Sequence, residues 1–129
     1  MANARPNQTT QSAIITHTAA ATGVNGLDIN NGYGRGILIF VDITALTGTA
    51  PTLTVTLQGK DPVSGKYYTI LASTALAAVA TTVLRVFPGL TAAANLIAND
   101  LLPPDFRFIT TIGGTTPAVT STISYAVIE

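Results

Sequence analysis

Thr52-Leu53-Thr54-Val55-Thr56-Leu57-Gln58-Gly59-Lys60-Asp61-Pro62-Val63-Ser64-Gly65-Lys66-Tyr67-Tyr68-Thr69-Ile70-Leu71 reads as one β-hairpin. Leu53, Val55 and Leu57 alternate with Thr52, Thr54, Thr56 and Gln58. That period of two is a strand with one buried face and one hydroxyl-rich face. Asp61-Pro62 opens a turn, because proline pre-sets φ for the second turn position, and Gly65 supplies the left-handed residue that closes it. Tyr67 to Ser73 runs back with aromatic and β-branched residues.

Working outward, the chain offers further strands of the same kind. Gly36 to Leu46 contains Ile37-Leu38-Ile39-Phe40-Val41, apolar at every position, so both of its faces are expected to be covered. Ser12 to Thr18 places Ala13, Ile15 and His17 on one face. Leu27 and Ile29 flank Asp28 in a short strand. Thr81 to Phe87 sets Leu84 and Val86 against Val83, Arg85 and Phe87, and Pro88-Gly89 stops it. Phe106, Phe108 and Ile112 form another strand up to Gly113-Gly114, and Val119 to Ile128 forms the last, with Ile123, Tyr125 and Val127 facing one way. Ala45 to Pro51 and Thr115-Thr116-Pro117 read as turns. Ala72 to Ala80 reads as a loop. Leu90 to Leu102 has the best helix propensity in the chain and is either a helical turn or an ordered crossover. Seven or eight short strands at fairly even spacing are the pattern of an all-β sandwich or barrel.

Composition limits the function classes. The 129 residues fit one domain. Only 9% are charged, against about 25% in typical chains. The net charge is zero, which argues against a broad electrostatic footprint for nucleic acid or an anionic membrane. No apolar run approaches the roughly 18 residues of a membrane span, and residues 1–12 lack the apolar core of a signal peptide. There is no cysteine, so no disulfide or thiolate metal site is available. Hydrophobic residues make up 47%. Charge depletion on this scale points to a surface that meets other protein, with the 22 threonines as the alternative means of solvating a sheet.

Catalytic chemistry has few candidates. His17 is the single histidine, and no Asp or Glu sits at ligand spacing from it. Ser64, His17 and Asp61 make a triad only on paper, without a nucleophile elbow. Asp28-Ile29-Asn30-Asn31-Gly32 lacks the further acidic positions of a calcium loop and reads as a turn. Tyr33, Tyr67, Tyr68 and Tyr125 could stack a sugar, although core and interface packing is the simpler role. Arg85 and Arg107 are strand arginines expected to pair with a carboxylate or a backbone carbonyl. Lys60, Asp61 and Lys66 gather charge at the hairpin tip. The sequence therefore indicates no enzyme, no cofactor and no metal.

Three segments carry a resemblance: Gly59-Lys60-Asp61-Pro62-Val63-Ser64-Gly65-Lys66-Tyr67-Tyr68, Val83-Leu84-Arg85-Val86-Phe87-Pro88-Gly89 and Leu102-Pro103-Pro104-Asp105-Phe106-Arg107-Phe108. From about Gly36 to the C-terminus the chain resembles small proteins of tailed-bacteriophage structural gene clusters, most of all head decoration (cement) proteins. The resemblance implies a small β-rich domain on the capsid exterior, often trimeric, contacting the major capsid protein, with no catalytic residues. Tail or head–tail connector proteins share its size and strand content, and a β-sandwich carbohydrate-binding module for host attachment is the other alternative.

The expectations are then these. The fold is all-β, a single antiparallel β-sandwich (jelly-roll-like or Ig-like) over residues 12–129, preceded by an extended N-terminal arm at 1–11. The chain is a homo-oligomer, a trimer by preference, that stabilises contacts between major capsid subunits on the virion and binds neither nucleic acid nor membrane. Partner contacts are expected from Arg5 and Pro6 of the arm, from Lys60, Asp61 and Lys66 of the hairpin tip, and from Arg85.

Overall fold

The computed structural model describes residues 15–32 and 34–129, so the arm with Arg5 and Pro6 lies outside the described residues, as do Ala13 and Tyr33. The fold is all-β: β1 (Ile15–Ala20), β2 (Ile29–Asn30), β3 (Gly36–Lys60), β4 (Tyr67–Ala72), β5 (Thr81–Val86), β6 (Ile97–Ala98) and β7 (Asp105–Ile128). They form one sheet of order β1-β7-β3-β5-β6, with β2 on β7 and β4 on β3, and the sheet does not close into a barrel. All pairs are antiparallel except β5 with β6, so the sheet is mixed rather than purely antiparallel. The parallel pair arises because 87–96 returns the chain across β5 before Ile97 meets Arg85. No helix forms among the described residues; 90–102 is an ordered crossover with a single turn at 94–96.

The hairpin forms as its alternation dictates. Leu53, Val55 and Leu57 are fully buried, and β3 pairs β4 from Lys60↔Tyr67 to Thr56↔Ala72. Asp61 N–H donates to the Lys66 carbonyl at 2.8 Å, and Gly65, at φ +75°, donates to the Asp61 carbonyl at 2.9 Å.

Two expected turns are not turns. Ala45 to Pro51 lies inside β3, and Thr115-Thr116-Pro117 lies inside β7, and these stretches pair with each other. The β3–β7 ladder runs from Gly36↔Ile128 to Gly59↔Phe106, with register shifts between Ile43 and Ala45, Thr47 and Thr49, and Thr49 and Thr52. Gly48 (φ +109°), Ala50 (+51°), Gly114 (+115°) and Thr116 (+45°) all fall in this stretch. Such bulges bend a ribbon sharply without ending its pairing. The bend is large. Phe108 and Tyr125 are both on β7, where an extended strand would hold them about 55 Å apart, yet their ring centroids are 5.7 Å apart. β7 therefore doubles back, and β3 doubles back with it.

The outer chains follow the same corner by a shorter path. Residues 67–86 run along β3: β4 pairs its far half, Leu76 exchanges both backbone hydrogen bonds with Leu53, Ile43 N–H donates to the Ala80 carbonyl, and β5 pairs Ile37 to Asp42. Residues 15–30 run along β7 in the same way. β1 pairs Val119 to Ile123, Val24 accepts from Thr110 N–H, Gly26 donates to the Phe108 carbonyl, and β2 pairs Asp105 and Phe106. Gly23 is required on that path, since a Cβ there would collide with the Thr110 carbonyl oxygen. One core fills the fold, with Ile37, Ile39 and Val41 from one half of β3, Leu53, Val55 and Leu57 from the other, and Phe106, Phe108, Ile123 and Tyr125 from both halves of β7.

Candidate functional site

Polar chemistry gathers on the outer face of the half-sheet made by β2, β4, residues 52–60 and residues 105–113. The period of two that buries Phe106 and Phe108 turns Asp105 and Arg107 outward, and the one that buries Leu57 turns Gln58 and Lys60 outward. Lys60 Nζ donates to Asp28 Oδ2 at 2.7 Å, and Tyr67 Oη donates to Asp28 Oδ1 at 2.7 Å. The Arg107 guanidinium stacks 3.5 Å from the Tyr67 ring centroid, and its Nε donates to Gln58 Oε1 at 2.8 Å. Asn30 Nδ2 donates to Asp105 Oδ1 at 3.3 Å. One tyrosine reaching across β3 and β7 thus links all four chain segments of the half-sheet.

The electrostatics follow from this packing. The hydrogen bond from Lys60, and then that from Tyr67, hold the Asp28 carboxyl below the usual carboxylate range. Asp28 in turn raises Lys60. Both groups are at the surface, so the pair orients side chains more than it stabilises the fold.

The hairpin tip is held from within. Asp61 Oδ1 accepts from Val63 N–H at 2.9 Å and Ser64 N–H at 3.3 Å, which lowers its pKa, chiefly through Val63. Lys66 is exposed at the end of the same turn. Lys60, Asp61 and Lys66 are brought together as the hairpin required, with Lys60 committed to Asp28 and Asp61 to its own turn. Arg85 lies apart on β5, exposed, and its guanidinium has no hydrogen bond or ion pair to any other described residue. The expectation that Arg85 and Arg107 each pair with a carboxylate or a carbonyl is corrected: Arg85 takes neither among the described residues, and Arg107's partners are an amide oxygen and an aromatic ring.

The other candidates are separated. His17 is buried on β1 opposite Ser121, with Nε2 3.0 Å from Thr110 Oγ1, and Thr110 Oγ1 also accepts Val24 N–H at 2.9 Å. Burial lowers the His17 pKa. The fold does not bring it to Ser64 or Asp61, which lie on the exposed 61–66 turn. Asn31 accepts from Gly34 N–H with Oδ1 and donates to the Gly34, Leu102 and Pro103 carbonyls with Nδ2, so the 28–32 oxygens do not converge. Among the described residues no three His, Cys, Asp or Glu stand close enough to hold a metal ion. Tyr125 is in the core and Tyr68 lies across Gly59, so the described tyrosines form no shared platform, and Tyr33 lies outside the described residues.

The sequence reading missed two arrangements: the Tyr67–Arg107 stack and the Asp28–Lys60 pair. Their partners lie 40 and 32 positions apart, and only the register of β2, β7, β3 and β4 brings them side by side.

No family model matches the chain, and no curated protein matches it. Among solved structures, it is similar to a chain of the "Structure of infectious bursal disease virus Gt strain", at 11% identity and a TM-score of 0.38. The match covers 95% of this chain and 34% of that one, so this chain spans about a third of its length. That likeness is too distant to carry an argument about role.

Proposed function

We propose that this chain is a virion structural protein, built as a jelly roll, that decorates the outside of a phage capsid and stabilises contacts between major capsid subunits. The observation that carries the jelly-roll part of this reading is the pairing order. Each of the four long runs bends once, giving eight segments in chain order: 15–20, 24–30, 36–47, 52–60, 67–72, 81–86, 105–113 and 118–128. The first pairs the eighth, the second the seventh, the third the sixth and the fourth the fifth. That is a long ribbon rolled up on itself, an architecture used by capsid and lectin domains.

Fold alone does not choose among these roles. Scarcity of charge favours assembly into a larger body, and the resemblance of the 59–68, 83–89 and 102–108 segments favours a phage head. Cementing would work by mass action: a protein that binds only the intact, expanded shell stabilises it by the free energy of binding. Attachment as a trimer would multiply those contacts.

The test is mechanical. Capsids stripped of the protein should rupture at lower temperature or lower osmotic shock than capsids with it restored. Equal resistance would contradict the cementing role.

A further inference from the structure

All four runs bend at one end of the molecule, and among the described residues that end carries no formal charge. The bending segments are 20–24, 44–52, 73–80 and 111–118, and none contains Asp, Glu, Lys or Arg. Asp42 borders this end along β3, where its carboxylate takes a hydrogen bond from Thr81. At the opposite end, the turns and the C-terminus carry Arg35, Asp61, Lys66, Asp100, Asp105 and Glu129. A charge-poor chain has therefore placed most of its described charges away from the corner.

The uncharged end is open to solvent. Val79 is 62% exposed and Val24 43%, and residues 47–50, 77–80 and 114–116 are exposed throughout. The outer chains take four residues to pass the corner (20 to 24, and 76 to 80), where β3 and β7 take about ten. The β3–β7 ribbon thus projects beyond its neighbours. Pro51 and Pro117 lie in this ribbon, and neither has an N–H to offer a further strand. Contact here must be made by side chains: threonine hydroxyls and methyls, alanine and valine.

We propose that this end is the docking face, that it seats on the capsid shell, and that the shell surface beneath it is likewise uncharged. The inference rests on the decoration reading above. A charge buried opposite this face would have no partner on it, and an unpaired buried charge is strongly unfavourable. Copies of the chain arranged about an axis along the strands would meet through sheet faces and edges. An uncharged end opposite a charged one instead suits a body seated end-on, with its charged end in water.

Attachment of the full-length chain to capsids purified without it tests this. Thr49→Lys and Val79→Lys, both at exposed positions, should leave the thermal midpoint unchanged and weaken attachment on the order of a hundredfold. Asp100→Asn, at an exposed position of the opposite end, should change it less than about fivefold. Folded Thr49→Lys and Val79→Lys proteins that bind as the parent does would overturn the docking face while leaving the decoration reading intact. The same variants dissolving an oligomer of the free protein, with capsid binding unchanged, would also overturn it, by assigning the end to self-association. Failure of the parent protein to bind capsids at all would remove the decoration reading itself.

Discussion

The rings of Phe108 and Tyr125, seventeen positions apart on one strand, pack 5.7 Å from each other, and Phe106 meets Tyr125 edge-on at 6.0 Å. The contact joins the two halves of the bent sheet. Phe108→Ala should cost about 3–5 kcal/mol, and Tyr125→Ala a comparable amount, read from urea unfolding. A loss below about 1 kcal/mol for both would mean that the halves are not held together by these rings.

The corner stores backbone strain at non-glycine residues. Thr116 sits at φ +45°, a conformation that disfavours a β-branched side chain by about 1–2 kcal/mol. Thr116→Gly should therefore raise stability by up to about 1 kcal/mol, after the added entropy of the unfolded chain is subtracted. Gly23→Ala should do the reverse and destabilise strongly, since its Cβ would meet the Thr110 carbonyl. Calorimetric midpoints check both, and a stabilising Gly23→Ala would contradict the path drawn for residues 20–24.

His17 makes stability depend on pH. Burial lowers its folded pKa below 6.5, whereas the unfolded chain titrates near 6.5. Between those two values the unfolded state binds more protons, so stability falls as pH drops below about 6.5 and the loss levels off once the folded value is passed. His17→Gln should flatten that slope. Asp28 and Asp61, whose carboxyls are held below 3.8, lose their stabilising effect only at more acid pH. A denaturation series from pH 8 to pH 5 should show the His17 decline, and an unchanged decline in His17→Gln would assign it elsewhere.

The surface network is a matter of orientation. In Asp28→Asn the Lys60 ammonium should titrate closer to its ordinary 10.5, as followed by NMR, and global stability should change far less than for Phe108→Ala. An unshifted Lys60 would mean that the pair does not persist in solution.

Much of the fold was legible because the alternation is strict where one face meets the core. Leu53, Val55 and Leu57, then Leu84 with Val86, then Phe106 with Phe108, are all buried as their spacing required. The corner was not legible. Gly48, Pro51, Gly113, Gly114 and Pro117 are turn formers by local chemistry, and only the pairing of the two stretches with each other turns two chain reversals into one bent ribbon. Leu90 to Leu102 shows the same override, since its propensity is spent on an irregular crossover that seats Leu102 in the core and pairs Ile97 with Arg85. The tip charges were visible as a cluster, but their tie to Asp28 and the place of Tyr67 on Arg107 depend on neighbours far away in sequence.

The number of copies per mature virion, counted against the major capsid protein by quantitative mass spectrometry, tests the central claim most directly. Decoration predicts hundreds of copies, in fixed ratio to the capsid subunits and lost together when the head is stripped. A dozen copies or fewer, retained with the tail or the portal, would contradict it and assign the chain to a connector or tip.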